Sequence, residues 1–503
     1  MELCNNGAPA SLDSIPQLEY SEFYELAASL LHNEARHCAS YFALPQNDGW
    51  LCICCIADDE TEKIVVLSHK VKRGKQKPMP SLTARHAAFC SFEREMHESC
   101  GIEFSDHPYL KPLRFPHDAA NSSNTFKHYP FYEAAGEEVH EIGVGPIHAG
   151  IIEPGYFRFC CNGEQVLNVE NAMGFQHRGI EKLMLVKNHP LQQCTIAENI
   201  AGDTAVGHTL AHVMLVESLA GFEASERLQL ERVVALELER AAMHIADTAA
   251  LCGSIAYQPG KVICEALRTL VINAMQAWCG NRFGKGLIRP QGTHYPVYYD
   301  TINLIAAALV EVHSRYKRIT DRIFTLPGVL SRFETVGVLT QQQALELGMV
   351  GLTARASGVC RDIRSTHPFL GYKKSVFSPA TLESGDINAR LMLRKVEVEQ
   401  SIKLMLGWLE KIGGISALLP EDKPCYHAKL QPSSLAVSLT EGWRGEICHV
   451  GIADENGKLA HYKITDSSLH NWRGLMLAMR GQQISDFPIC NESFNLSYCG
   501  HDL

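Results

Sequence analysis

A polar stretch divides this chain of 503 residues into two parts whose apolar patterns differ. Residues 119–139 are rich in Asn, Ser, His and Glu without periodic apolar side chains, so they are predicted to be a linker. Residues 1–118 mix one helical pattern with strand-like runs, whereas long helical patterns dominate residues 140–503. The whole is too long for a single core. We therefore predict an α+β fold, in which a small α+β domain (1–118) precedes a large, mostly helical domain with short β-sheets (140–503).

Short apolar runs define the first part. Ser21–His37 has helical spacing, and Trp50–Ala57 and Lys63–Leu67 are predicted to be strands. The only Cys-x-x-Cys pair of the chain, Cys52 and Cys55, lies in the first of these strands. Side chains three positions apart in a strand point to opposite sides, so the two thiols are predicted to be buried and not to share a metal ion.

Composition excludes several classes of function. A net charge of −10 argues against a nucleic-acid surface, which needs a basic stripe. No run of about 18 apolar residues is present, so no transmembrane segment is predicted, and any association with a membrane would come through partner proteins. The 18 cysteines are scattered and no secretory signal is visible, so most are expected to be reduced, buried side chains.

The region around Phe92–Leu110 resembles the signature of the 30-kDa subunit of respiratory Complex I. The matching residues are Phe92, Glu93, Arg94, Glu95, Gly101, Ile102, Phe104, His107, Pro108 and Leu110. This resemblance implies that Glu93 to Glu95 form a surface that docks on a neighbouring large subunit. The alternative is an ordinary solvated helix face.

The start of the second part resembles the 49-kDa subunit of Complex I and the large subunits of group-4 nickel–iron hydrogenases of the energy-converting, formate hydrogenlyase type. The resemblance is carried by V-G-P-I-H-A-G-I-I-E-P-G-Y-F-R-F and N-A-M-G-F-Q-H-R-G-I-E-K-L-M. It implies that His148 lies at a quinone headgroup site and that Glu181 transfers protons. The alternatives are a loop histidine bonded to its own backbone and an ordinary helix-face charge.

Two further segments, Asn199–His212 and Phe494–Leu503, resemble the two places where hydrogenases hold their metal centre with four cysteines. The corresponding residues here are Ala201, Thr204, Ser497 and Gly500. None of these offers a soft thiolate, and Cys499 is one position out of register. We therefore expect no nickel–iron centre, no cofactor bound by this chain and no hydrogenase activity.

In Complex I the corresponding vacated cleft takes a quinone headgroup, held by a histidine and a tyrosine. The tyrosine's place falls near Gly202 in this chain, so Tyr156 or Tyr498 would have to replace it. The resemblance then implies a cleft lined by His148, Gly202, Asp203, Arg355 and Tyr498.

A different hypothesis concerns His208 and His212, which stand four apart on one helix face within Ala205–Leu219. Two such imidazoles can hold a metal ion, with Asp203 or Glu181 as a third ligand. Simple packing is the alternative, because the H-E-x-x-H pattern is missing.

These patterns imply the large subunit of a membrane-associated, ion-translocating oxidoreductase resembling NADH:quinone oxidoreductase. Expected partners are an iron–sulfur small subunit, which would carry the cluster because this chain has no cluster motif, and membrane-arm subunits. The implied location is peripheral, on the cytoplasmic side of the membrane. The alternative function is a non-catalytic scaffold that docks the iron–sulfur subunit onto the membrane arm.

Overall fold

The computed structural model describes residues 2–74, 77–114, 129–149, 152–187, 189–415 and 422–503. Its strands are β1 (Glu2–Asn5), β2 (Pro9–Ser11), β3 (Gln17–Leu18), β4 (Arg36–Gln46), β5 (Gly49–Asp58), β6 (Lys63–Lys72), β7 (Met79–Pro80), β8 (Phe104–Ser105), β9 (Val139–Val144), β10 (Tyr156–Asn162), β11 (Gln165–Ala172), β12 (Ser434–Glu441), β13 (Glu446–Ala453) and β14 (Leu459–Thr465). Its helices are α1 (Tyr20–Leu30), α2 (Cys90–Cys100), α3 (Ile180–Val186), α4 (Pro190–Ala197), α5 (Ala205–Ala220), α6 (Glu226–Ser254), α7 (Gln258–Cys279), α8 (Tyr299–Ile323), α9 (Pro327–Phe333), α10 (Gln341–Glu346), α11 (Gly351–Arg355), α12 (Ile363–Thr366), α13 (Ile387–Gly414), α14 (Ser467–Ala478), α15 (Phe487–Phe494) and α16 (Tyr498–Asp502). The predicted mixed α+β class is confirmed.

The first part is built on a sheet in the order β1-β6-β5-β4, with β3 added beside β6. Both faces of β5 are buried, which explains its continuous apolar run. Cys52 packs in the core of the first part, whereas Cys55 faces the larger core shared with the rest of the chain. The predicted opposite orientation of these two thiols is therefore confirmed, and all 18 cysteines are free thiols.

The helix predicted over Ser21–His37 is too long. Helix α1 ends at Leu30, and strand β4 begins at Arg36. An Asn side chain ends the helical turn, because Asn33 Oδ1 accepts a hydrogen bond from the Ala35 backbone N–H at 2.9 Å. His37 is consequently a strand residue.

The two parts share one sheet. Strand β2 pairs antiparallel with β12, giving the order β14-β13-β12-β2. The larger core also combines residues of both parts, for example Ile53 and Ile64 with Leu210 and Val437. The division at residues 119–139 stays a prediction: positions 115–128 fall outside the described residues, and 129–138 form neither helix nor strand.

Long helices form the body of the second part, where α6 packs against α7 and α13. The predicted helix Ala205–Leu219 lies within α5. Helix α5 is buried on every side from Ala205 to Leu219, because it packs against the sheet containing β12 and β13 and against α4 and α6. None of the helices among the described residues is both long and apolar enough to span a membrane.

Candidate functional site

Two arginines hold together the segments Asn199–His212 and Phe494–Leu503. The Arg178 guanidinium donates to the backbone oxygens of Asn199 (2.6 Å) and Ile200 (2.8 Å) in the first segment, and of Cys499 (3.2 Å) in the second. Arg444 likewise bonds to the Asn495 backbone oxygen and to residues of the first segment. Segments far apart in sequence therefore form one site. Arg178 belongs to the H-R-G motif, but its role as a clamp was not predicted.

The four positions where hydrogenases carry cysteines are buried, and Thr204 and Ser497 form other hydrogen bonds. The Thr204 hydroxyl bonds to Asp203 Oδ1 (3.0 Å) and accepts from Arg444 Nη1 (3.2 Å). The Ser497 hydroxyl caps α16 by accepting from the Gly500 N–H at 2.9 Å.

Gly500 itself leaves no room for a side chain. A Cβ atom at this position would lie 2.7 Å from the Asp466 carboxyl carbon and 2.9 Å from both its oxygens. A cysteine ligand would have to displace that buried carboxylate. Because thiolates are also missing from the other three positions, these residues do not fit a nickel–iron centre.

His148 and Tyr498 lie together beside these positions. Tyr498 OH is 3.3 Å from His148 Nε2, and its ring packs edge-on against Trp472 and Phe157. Gly155 permits this packing, because a Cβ there would collide with the Tyr498 ring. Burial lowers the pKa of His148 and raises that of Tyr498, so both are held in their neutral forms.

The other candidate tyrosine, Tyr156, is oriented elsewhere. Its hydroxyl lies against Gly143, and its ring contacts Phe131 at 5.4 Å between centroids. Gly202, where Complex I carries its tyrosine, is exposed, and a Cβ built on it meets nothing within 4 Å. Of the two replacements considered, the structure brings Tyr498 to the histidine.

A fixed ion pair forms one edge of the site. Both Asp203 carboxylate oxygens accept from the Arg444 guanidinium at 2.7 Å, and this guanidinium stacks on Trp443 at 3.9 Å from the ring centroid. Burial alone would raise the pKa of Asp203, but the paired charge of Arg444 lowers it. The Asp203 carboxylate is therefore ionised and paired with Arg444.

Glu181 is placed in a different cluster of charges. Its carboxylate accepts from the Ile464 N–H (2.9 Å) and pairs with Lys463 Nζ (3.0 Å). Lys463 also pairs with Glu95 of the first part at 2.5 Å, and Glu95 with Arg114. The hydrogen bonds of the described residues do not connect Glu181 to His148.

Glu93 and Glu95, which were predicted to lie on one docking surface, point in different directions. Glu95 contacts the second part through Lys463. Glu93 instead turns inward and accepts from the backbone N–H groups of Leu82 and Thr83.

His208 and His212 do not share a metal ion. His208 bonds to Asp466 Oδ2 (3.0 Å) and to His449 Nε2 (3.1 Å). His212 bonds to the hydroxyl of Tyr462, which also contacts His449, both at 2.8 Å. The result is a buried series Asp466–His208–His449–Tyr462–His212.

The proposed third ligands are engaged elsewhere, Asp203 with Arg444 and Glu181 with Lys463. Across the part of the chain that the structure describes, no three His, Cys, Asp or Glu side chains are grouped to hold a metal ion. The metal hypothesis for the histidine pair is therefore wrong. The role of Asp466 was not predicted, since only the tertiary fold brings it to Gly500.

Arg355 lies in a buried ionic network. Its guanidinium pairs with Glu397 (2.6 Å) and Glu441 (2.8 Å) and donates to the Arg361 backbone oxygen. Arg240 of α6 joins the same network, because it pairs with Glu397 at 3.5 Å and with Glu237 at 3.1 Å. No hydrogen bond described for Arg355 reaches the Asp203–Arg444 pair or the His148–Tyr498 pair.

Comparison with known families agrees with this architecture. Residues 20–132 match the family described as respiratory-chain NADH dehydrogenase, 30 Kd subunit, and residues 256–502 match the respiratory-chain NADH dehydrogenase, 49 Kd subunit.

Individual proteins are similar over most of the chain. Formate hydrogenlyase subunit 5 of Escherichia coli (strain K12) is 24% identical over 480 residues, covering 92% of this chain and 81% of that protein. The carbon monoxide-induced hydrogenase of Rhodospirillum rubrum is 28% identical over 359 residues, covering 71% and 97%. NADH-quinone oxidoreductase subunit 4 of Thermus thermophilus is 26% identical over 371 residues, covering 69% and 90%.

Among solved structures, a chain of the membrane-bound sulfane sulfur reductase, an archaeal respiratory membrane complex, has a similar fold. The TM-score is 0.67 at 23% identity, covering 74% of this chain and all of that chain. Two families of Complex I subunits therefore match successive segments of this one polypeptide, and the chain is similar to formate hydrogenlyase subunit 5 and to the carbon monoxide-induced hydrogenase.

Proposed function

We propose that this chain is the large subunit of a membrane-associated, ion-translocating oxidoreductase, and that its vacated cleft binds a quinone headgroup. Its similarity to formate hydrogenlyase, Complex I and membrane-bound hydrogenase subunits supports the class of complex. An iron–sulfur small subunit and membrane-arm subunits are the proposed partners, with this chain peripheral on the cytoplasmic side.

The observation that carries the quinone proposal is the contact between His148 and Tyr498. A quinone carbonyl is a hydrogen-bond acceptor, and a neutral imidazole and a phenol are both donors that suit it. Tyr498 sits between Ser497 and Cys499, so the two donors adjoin the positions that lost their thiolates.

The proposed role of the pair is to orient the headgroup and assist its protonation. Reduction to a quinol takes two electrons, which the iron–sulfur cluster of the partner would supply, and two protons, one at each oxygen. Tyr498 and His148 would each hold a proton at hydrogen-bond distance from an oxygen that gains negative charge. The aromatic wall of Trp472 and Phe157 would exclude water from the ring.

The test is reduction of a short-chain quinone by the purified complex, given electrons from a reduced viologen. His148→Gln and Tyr498→Phe should each lower kcat/KM by about 100-fold, the usual order for losing an acid–base group. Tyr156→Phe is the matched control, because its hydroxyl faces Gly143, and it should retain the parent rate. Failure of the parent complex to reduce any quinone would contradict the proposal.

A scaffold without catalysis is the second candidate. It is favoured by the interactions at three of the four vacated positions, above all the Asp466 carboxylate against Gly500. A scaffold predicts that the complex turns over equally fast with His148→Gln and Tyr498→Phe. The same set of variants therefore separates the two functions.

A further inference from the structure

The ionic network around Arg355 is a buried cluster of eight ionisable side chains, which we call the ionic cluster. Each member is at most 1% exposed, and each lies 2.6–3.1 Å from a partner in the cluster. The members are Glu237, Arg240 and His244 of α6, Arg355 of α11, Asp362 and Arg364 at the start of α12, Glu397 of α13 and Glu441 at the end of β12.

The ionic cluster contains one carboxylate more than its guanidinium groups neutralise. Four carboxylates (Glu237, Asp362, Glu397, Glu441) face three guanidinium groups (Arg240, Arg355, Arg364). His244 does not supply the missing positive charge. Its Nε2–H donates to Glu397 at 3.0 Å, and its buried Nδ1 has no partner among the described residues to accept a second hydrogen. A net charge buried away from water is strongly unfavourable, so one carboxylate of the cluster has to bind a proton.

The surrounding charges do not make up the difference. Arg394 is engaged with Asp247 at 2.8 Å, and Arg361 is engaged with Asp59 at 2.6 Å. In the part of the chain that the structure describes, no further Lys or Arg nitrogen lies within 4.0 Å of the four carboxylates. The excess negative charge therefore belongs to the ionic cluster itself.

Glu441 is the carboxylate with the fewest cationic partners. It contacts one guanidinium group, that of Arg355 at 2.8 Å, whereas each of the other three carboxylates contacts at least two. Its Oε2 atom accepts from the Ile363 N–H at 3.1 Å, and a protonated carboxyl oxygen keeps this capacity. Burial and the charge of Asp362 raise the pKa of Glu441 to about 7. The proton therefore binds at Glu441.

Glu441 also stands at one end of a turn that reaches the vacated cleft. The Arg240 guanidinium donates to the backbone oxygens of Glu441 and Gly442, where strand β12 ends. The same turn continues to Arg444, whose guanidinium holds both Asp203 carboxylate oxygens at 2.7 Å. Charges in a buried, low-dielectric region interact more strongly than in water, so charge added to the cleft acts on Glu441.

We infer that Glu441 is a proton-binding site that keeps the ionic cluster neutral, and that negative charge arriving in the vacated cleft strengthens its hold on the proton. The second half of this inference rests on the proposed function, in which the charge is an electron from the iron–sulfur partner. The proton is taken from water and returned to it. By reciprocity, a protonated Glu441 favours electron entry into the cleft by the same factor.

Infrared titration of the whole complex tests the proton directly. The difference spectrum between the parent and Glu441→Gln should contain a protonated carboxyl band that disappears as the pH rises through about 7. Glu441→Asp should restore such a band, because the cluster again contains four carboxyl groups. Glu217→Gln is the matched control, since Glu217 is also buried but forms a balanced pair with Arg232, and it should remove no such band. A parent without a band that Glu441→Gln removes would overturn the site.

The stability of the full chain gives a second measurement that needs no turnover. Folding raises the pKa of Glu441 from 4.5 to about 7, so its contribution is complete below pH 4.5 and is lost as the pH rises through 7. Between pH 4.5 and about pH 8, the unfolding constant of the parent should increase by about 100-fold relative to that of Glu441→Gln. A ratio that stays constant over this range would contradict the site.

Reduction of the complex by a viologen at pH 7 tests the link to the cleft. The carboxyl band of Glu441 should grow on reduction of the parent, and Glu441→Gln should lack this change. An unchanged band in a parent that reduces quinone would overturn the link. A parent that shows the titrating band but reduces no quinone would refute the proposed function alone. Thermal unfolding of every variant verifies that each is folded.

Discussion

Individual residues show how far the site has diverged from a metal centre. The Asp466 carboxylate occupies the space that a side chain at position 500 would need, and Arg444 contacts Thr204. Buried carboxylates need partners, and Asp466 has them in His208 and the Ser468 N–H. Restoring a single cysteine would therefore disturb an established polar arrangement.

Gly500→Ala should destabilise the protein. The added methyl group would lie 2.7–2.9 Å from the Asp466 carboxyl group, and overpacking of a buried site typically costs about 1–3 kcal/mol. Gly202→Ala is the control, because a Cβ there meets nothing within 4 Å, and it should change the free energy of unfolding by less than about 0.5 kcal/mol. Denaturant unfolding measures both, and equal effects would contradict the packing argument.

The sequence identified the four vacated positions and two candidate tyrosines, but it did not distinguish Tyr156 from Tyr498. The two tyrosines are distinguished by two glycines. Gly155 makes room for the Tyr498 ring, and Gly143 lies against the Tyr156 hydroxyl. Both contacts are tertiary and leave no trace in local spacing. His208 and His212 also had the spacing of a metal pair, yet their partners come from β13, β14 and Asp466.

At the scale of elements, the start of α5 decides where the first segment of the site lies. Thr204 stands at the N-cap position, but its side chain makes no capping bond. Glu239 of α6 does this instead, accepting from the N–H groups of Val206 (2.7 Å) and Gly207 (3.0 Å). A residue on one helix therefore fixes the beginning of another.

Glu239→Ala should consequently loosen the segment around Ala201. The change leaves two buried N–H groups without an acceptor, so we expect a loss of about 1–3 kcal/mol in the free energy of unfolding. Glu226→Ala removes an exposed acidic residue from the first turn of α6 and should have an effect of under about 0.5 kcal/mol. Hydrogen exchange should accelerate at Val206 and Gly207 only in the first variant, and unchanged exchange would argue against this cap.

Elements were predicted well where their pattern is local. The long helices followed from spacing, but α5 is buried on all sides and carries no solvent-exposed face to mark its orientation. The boundary between α1 and β4 was missed because the Asn33 turn interrupts a pattern that otherwise continues into His37.

At the scale of the whole molecule, the two parts share a sheet, a core and charged contacts. Lys463 is 3% exposed and pairs with Glu95 from the first part and Glu181 from the second. Burial alone would raise the pKa of Glu95, but the charges of Arg114 and Lys463 hold it at about 2. We therefore expect the junction to weaken in acid.

Glu95→Gln should weaken this junction in a way that depends on pH. With a folded pKa of about 2 against an ordinary value of 4.5, the carboxylate contributes on the order of 3 kcal/mol above pH 4.5. That contribution is lost as the pH falls through the folded pKa. The variant should thus be less stable than the parent at pH 7 and approach it towards pH 3. Glu103→Gln, at an exposed position, should track the parent throughout, and a constant deficit in Glu95→Gln would refute the linkage.

The family membership of both parts could be predicted from motifs, whereas the way they join could not. Strand β2 is three residues long, and its partner β12 lies at the other end of the sequence. A pattern so short gives no sign of where it pairs. The same holds for the bond between His37 and Glu446, which joins residues 409 positions apart.

The pairing of β2 with β12 limits what the covalent link between the two parts contributes to their association. Cleavage of a peptide bond between the two parts would not separate them, because β2 of the first part would stay hydrogen-bonded to β12 of the second part. The covalent link therefore mainly ensures that both parts are made in a 1:1 ratio. We expect two separate polypeptides with these same surfaces to associate stably.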